Sequence, residues 1–145
     1  MKIFGHPLHL MLIHFPAALL PMDLVCAGGF YWTGNAAFGT ASFFAMMGGV
    51  GVGWIAMAFG LMDLIPLADK KQKALKTALI HGGINSFVLL CYSVLLFISW
   101  KNYPEITPDS FVTLVSKAVL IGFMMLGNYY GARLVLTFNI GKEDE

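Results

Sequence analysis

Residues 5–16 read GHPLHLMLIHFP and place three of the chain's four histidines, His6, His9 and His14, at the start of a long apolar segment. The fourth, His81, lies near the start of another apolar segment. Hydrocarbon penalises ionisable side chains, so those inside membrane-spanning segments usually face other helices and mark a functional site. The main question posed by the sequence is therefore which kind of site these imidazoles form.

The composition is that of a membrane protein. Of the 145 residues, 58% are hydrophobic and only 12% are charged, which leaves too few polar side chains to cover a water-soluble globule. The formal net charge is +1 and no basic tract occurs, so nucleic acid is not an expected partner. The expected surroundings are the lipid bilayer.

Four apolar segments are each long enough to cross a membrane, because about 20 helical residues span the ~30 Å of hydrocarbon. The connecting segments contain the Gly, Pro, Asn and charged residues that end spans. The predicted helices cover residues 7–31, 38–67, 75–100 and 111–138. The sequence therefore predicts an all-α fold, in which residues 1–145 form one integral membrane four-helix transmembrane bundle. Pro16 and Pro21 should bend the first helix.

Basic residues predict the orientation of the bundle. Most of them fall on one side if the four spans alternate in direction: Lys2, Lys70, Lys71, Lys73, Lys76, Arg133 and Lys142. Only Lys101 and Lys117 fall on the other side. By the positive-inside rule, both termini are expected to be cytoplasmic in a bacterial inner membrane.

Helix rise predicts that several polar side chains lie at one depth. His14 follows His9 by five residues and His81 follows Lys76 by five, so both imidazoles are expected roughly 7 Å below the inner boundary. Asp63 and Arg133, near the inner ends of the second and fourth spans, arrive at a similar depth. All four helices thus contribute an ionisable group to the inner leaflet. The outer leaflet offers Asp23 and Lys117 and no histidine.

Residues three and four positions apart lie on the same face of a helix, and two such stripes contain some of these groups. The third span has a mixed stripe, Ala78, His81, Asn85, Val88 and Tyr92. The second span has a stripe of small residues that ends in an acid: Ala45, Gly49, Gly53, Ala56, Gly60 and Asp63. Small residues favour close helix packing, and the alternative is that they make room for a flat ligand.

The imidazoles are compatible with three chemistries. His14 and His81, facing each other across the bundle, suit the two axial positions of haem b, with Arg133 or lysines near its propionates. His6, His9 and His14 suit a transition metal. Histidine, aspartate and arginine at the boundary also suit hydrogen bonds to a quinone or a proton relay. The plainer alternatives are that His14 bonds a carbonyl freed by Pro16, and that Asp63 pairs with Arg133.

The motif His6-Pro7-Leu8-His9, followed by His14-Phe15-Pro16, resembles the HPxHP…VHFP opening of a bacterial family of membrane proteins called domain of unknown function 2231. The likeness continues through residues 60–63 (GLMD), His81 with Asn85, and the glycine-containing end of the fourth span. Leu10 stands where the family has a second proline. The resemblance implies a four-helix membrane fold. Family members are similar to small cytochromes b, and some are joined to c-type cytochrome domains, which favours a redox role.

We therefore predict a membrane subunit that binds haem b and relays electrons between a quinone pool and a partner redox protein. His14 and His81 are the predicted axial ligands. The predicted surrounding residues are Asp63, Asn85 and Arg133, and His6 and His9 form a second ligand set or contact a quinol. No catalytic nucleophile is visible, so we expect a non-catalytic subunit of a larger complex, with homo-oligomerisation as a further possibility. The alternatives are a cofactor-free structural subunit and a histidine-based metal-binding or transport protein.

Overall fold

The computed structural model describes residues 2–3, 6–68 and 72–138, with side chains described for residues 8–64 and 72–138. Two short strands, β1 (Lys2–Ile3) and β2 (His6–Pro7), pair antiparallel at the N-terminus. Five helices follow: α1 (Leu8–Leu12), α2 (His14–Thr33), α3 (Ala36–Ala68), α4 (Gln72–Asn102) and α5 (Phe111–Phe138). The predicted all-α, four-span fold is confirmed, and α1 with α2 together make the first span.

The first span is interrupted at Ile13, between α1 and α2. Pro16 has no backbone N–H to donate to Leu12, four residues earlier, and its ring crowds that carbonyl. The backbone bonds on either side persist, from Ile13 N–H to the His9 carbonyl (3.1 Å) and from Ala17 N–H to the Ile13 carbonyl (3.2 Å). The interruption separates the five-residue α1 from the long helix that follows it.

Turn residues close the ends of the remaining helices. Gly34 adopts the left-handed conformation (φ 67°) and donates its N–H to the Phe30 carbonyl, which ends α2. Asn35 then accepts the Ala37 N–H through its side chain, and α3 begins. Ser110 caps α5 in the same way by accepting the Thr113 N–H at 3.1 Å. The connection between α2 and α3 is only two residues long, whereas that between α4 and α5 is eight.

The helices pack in the order α2, α3, α4, α5, and a smaller contact between α2 and α5 closes the bundle. α1 lies mainly against α3. One core fills the centre, made by Leu20, Met46, Val50, Val88, Leu89, Tyr92, Leu120, Ile121 and Met124. We call the end that carries the α4–α5 connection, residues 103–110, the loop end. The opposite end is the histidine end, defined by His9 and His81.

The outside of the bundle is apolar along its length. Large hydrophobic side chains on every long helix are more than half exposed, among them Val25, Trp32, Ile55, Leu61, Phe97, Val112 and Leu136. All four spans are long and apolar enough to cross a membrane. In water this surface would be an extensive uncovered patch, whereas lipid chains solvate it without cost. The exposed surface therefore matches the hydrocarbon of a bilayer.

Candidate functional site

His9 joins the short α1 to the small-residue face of α3. Its Nδ1 lies 2.8 Å from the carbonyl oxygen of Ala56. A carbonyl only accepts hydrogen bonds, so Nδ1 carries the proton and, in the neutral ring, Nε2 keeps its lone pair. Gly60 makes the approach possible, since a Cβ there would lie 2.9 Å from the His9 ring. The ring is half-buried between the two helices.

His81 makes the equivalent contact between α4 and α5. Its Nδ1 lies 2.7 Å from the carbonyl oxygen of Gly127, so this ring also donates from Nδ1 and keeps the Nε2 lone pair. A Cβ at Gly131 would lie 2.7 Å from the ring, and one at Gly127 would lie 2.5 Å from the amide of Asn85. Asn85 donates to the His81 carbonyl at 3.0 Å. Two glycines of α5 thus form the recess that holds His81 and Asn85.

The two imidazoles meet across the bundle. Their ring centres lie 6.2 Å apart and their planes are at 82°, an edge-to-face contact. The pair therefore links α1 and α3 on one side with α4 and α5 on the other. Because a bond between a metal and an imidazole nitrogen is about 2 Å long, rings at this separation share one ion only if their Nε2 atoms turn toward each other.

The small-residue stripe of α3 is filled by side chains of the neighbouring helices. A Cβ at Gly49 would lie 2.6 Å from Leu20, and one at Gly53 would lie 2.8 Å from Leu89. Together with His9 against Gly60, these contacts occupy the stripe along its length. These contacts match close helix packing rather than an open space for a flat ligand.

The other predicted site residues are more dispersed. His14 is exposed on the outside of the bundle, where its Nδ1 lies 3.3 Å from the Met11 carbonyl, and the ring in contact with His81 belongs to His9 instead. Asp63 is half-buried and Arg133 is exposed, both at the histidine end. Outside the described part of the chain lie the side chains of His6 and Lys2, and residues Lys70, Lys71 and Lys142.

A second polar cluster lies near the loop end, where sequence analysis found only two charges without a role. Lys117 places its Nζ 2.9 Å from Asp23 Oδ1 and 2.8 Å from Asp109 Oδ2. Ser42 donates its hydroxyl to the same Asp23 oxygen at 2.6 Å. Asp23 is 0% and Lys117 is 2% exposed, so this ion pair is buried in the bundle. We call Asp23, Ser42, Asp109 and Lys117 the loop-end cluster.

The sequence carries a signal for this cluster in the positions of its two charges. Asp23 lies between Leu20 and Ala27 at helical spacing, and Lys117 lies between Leu114 and Ile121. Those four neighbours are all buried. A charge within an apolar stripe is expected to point into the bundle and to need a partner there. The same test that singled out His81 would therefore have placed both charges inside the bundle, without identifying their partners.

The two polar sites occupy opposite halves of the bundle. Tyr92, which packs below the loop-end cluster, follows His81 on α4 by eleven residues, or about 16 Å of helix. The core residues Val88 and Leu89 lie between them. The histidine pair and the loop-end cluster are thus separate sites.

Comparison with known proteins identifies the family of the chain. The model of the family described as "Predicted membrane protein (DUF2231)" matches residues 5–144, so the chain belongs to that family. This confirms the resemblance drawn from the histidine motif. No curated protein matches the chain, and no solved structure matches it.

Proposed function

We propose that this member of the family binds haem b at its histidine end and relays electrons between a quinone pool and a partner redox protein. The observation that supports the proposal is the state of the histidine pair. Both His9 and His81 donate Nδ1–H to a backbone carbonyl of another helix, which leaves each neutral ring with a free lone pair on Nε2. Metal-bound histidines are typically oriented in this way.

The donor set fits haem b, which takes two axial ligands from side chains of the protein. His81 and His9 would hold the haem iron, because these rings come from different helices and their centres lie 6.2 Å apart. The two rings are in edge-to-face contact in the structure, so a macrocycle between them would require the rings to separate. Haem b would supply one-electron transfer. No CxxCH motif for covalent haem attachment occurs in the sequence.

The surroundings of the pair are suited to an anionic cofactor. Lys76 precedes His81 by five residues and Arg133 follows Gly131 by two. Both therefore lie farther from the loop end than the histidine pair does. Both side chains are exposed. Cationic groups at this level are available to haem propionates or to a quinone head group. The positive-inside rule supports a cytoplasmic position for this end in the bacterial inner membrane.

The test is a reduced-minus-oxidised optical spectrum of the protein purified in detergent from cells supplied with a haem precursor. The wild type should show the sharp α-band of six-coordinate haem b. The band should be lost in His81→Ala and in His9→Ala, and it should persist in His14→Ala, the matched control on the outside of the same span.

The pattern among the variants separates the possible errors. Loss in His14→Ala with retention in His9→Ala would replace our axial assignment by His14 and His81 and would leave the function intact. A colourless wild type that copurifies with other membrane proteins would refute haem binding and favour a cofactor-free structural subunit. Bound zinc or copper without porphyrin would refute it in favour of a metal-binding role.

A further inference from the structure

The loop-end cluster holds unequal numbers of positive and negative groups. Asp23 and Asp109 are two carboxyl groups, and Lys117 is the one ammonium between them. With all three ionised the cluster carries one net negative charge. Asp23 and Lys117 are withdrawn from solvent, and an uncompensated charge at such a place is costly. One additional proton would remove this charge.

Three buried oxygen atoms at the cluster have no hydrogen-bond partner among the described residues. Asp109 Oδ2 is one of them, although it forms an ion pair with Lys117 at 2.8 Å, and two others remain. One is Asp23 Oδ2, the carboxylate oxygen that Ser42 and Lys117 leave unused. The other is the hydroxyl of Tyr92, whose side chain is 0% exposed. Buried polar atoms are nearly always paired, so each such atom calls for an explanation. Oδ2 lacks a donor, and a proton bound there would neutralise the buried carboxylate and turn Oδ2 into a donor.

A route to solution runs through the α4–α5 connection. Asp109, the outermost member of the cluster, is 22% exposed at its side chain, compared with 3% for Lys117 and 0% for Asp23. Beside it lies a cavity of about 20 Å³, and its polar lining comes from Ser42, Ser99, Thr107, Asp109 and Lys117. A volume above about 10–15 Å³ with several polar partners is enough for one water molecule. A water there would adjoin Asp109, Ser42 and Lys117, and the last two contact the buried Asp23 carboxyl group.

From these observations we infer that Asp23 is a proton-binding site that exchanges with the solution at the loop end. A proton from that solution adds to Asp23 Oδ2, the net charge of the cluster changes from −1 to 0, and the proton leaves by the same route. The groups that face Asp23 are Ser42 of α3, Tyr92 of α4, Asp109 of the α4–α5 connection and Lys117 of α5. The inference is independent of the histidine pair and of any cofactor.

The test is infrared difference spectroscopy of the purified full-length protein in lipid, recorded as the pH is lowered over the range in which it stays folded. We expect a carboxylic acid C=O band that shifts in D₂O and disappears in Asp23→Asn. The matched control is Glu105→Gln, which removes an exposed carboxylate from the α4–α5 connection and should leave the band in place.

A second variant keeps the test decisive if Asp23→Asn does not fold. Ser42→Ala removes the 2.6 Å hydrogen bond to Asp23, so it should shift the frequency of the same band without abolishing it. Absence of the band in the wild type would overturn the inference. So would a band that is unchanged in both cluster variants, or one that depends on the Na⁺ or K⁺ concentration at constant pH, since a metal cation would then occupy the site.

Discussion

Replacing Lys117 by methionine should destabilise the bundle more than the same replacement at a lysine whose described side chain is exposed. The Lys117 ammonium lies within 3 Å of both Asp23 Oδ1 and Asp109 Oδ2, and its side chain is only 3% exposed. Methionine has a similar volume, so the packing loss is small. The variant leaves the Asp23 carboxylate buried with one remaining donor, Ser42. Removing one partner of a buried ion pair costs about 3–5 kcal/mol, and we expect a loss in that range.

The assay is reversible unfolding of the purified protein in mixed micelles at neutral pH, followed by tryptophan fluorescence. Lys101→Met is the control, since Lys101 is exposed at the same end and its ammonium lies 4.7 Å from the centre of the Phe97 ring. It should cost about 1 kcal/mol or less. The double variant Asp23→Asn/Lys117→Met should be more stable than Lys117→Met alone. Equal stabilities of Lys117→Met and Lys101→Met would refute the buried ion pair.

Two further predictions concern the recess around His81 and the cap of α5. Gly131→Ala places a Cβ 2.7 Å from the His81 ring, which its hydrogen bond holds in place, whereas Gly122→Ala meets nothing within 4 Å. Both variants gain the same helix propensity, so Gly131→Ala should be less stable than Gly122→Ala by the cost of overpacking, about 1–3 kcal/mol. Equal unfolding free energies of the two variants would argue against the recess. Ser110→Ala removes the acceptor of the Thr113 N–H and should cost about 1 kcal/mol in the same assay, with no loss expected if the cap is absent.

The spans could be predicted from sequence because their length and apolar character are local properties. The fourth predicted helix, residues 111–138, has the same bounds as α5, and the third is longer than predicted by three residues at its start and two at its end. The interruption at Ile13 follows from Pro16, which sequence analysis expected to bend the helix. Neighbour order was left open, because it depends on contacts between segments far apart in the chain.

The structure brings some of the predicted site residues together, since His81 contacts Asn85 and His9, and places His14 on the outside of the bundle. Depth along the helices predicts His81 at the level of the other histidines, but depth alone does not determine which way a ring faces. On a continuous helix, five residues turn His14 about 140° away from His9, so both cannot face the same neighbour. The pairing of Asp23 with Lys117 joins residues 94 positions apart and needs the contact between α2 and α5. Neither the depth of a residue nor the overall charge provides that contact.

The central claim, that the histidine pair holds haem b, is tested most directly by measuring haem per chain in the purified wild-type protein and in His81→Ala. A pyridine haemochrome assay should find about one haem b per wild-type chain and almost none in the variant. Equal haem contents in the two proteins, or none in the wild type after expression with a haem precursor, would contradict the claim.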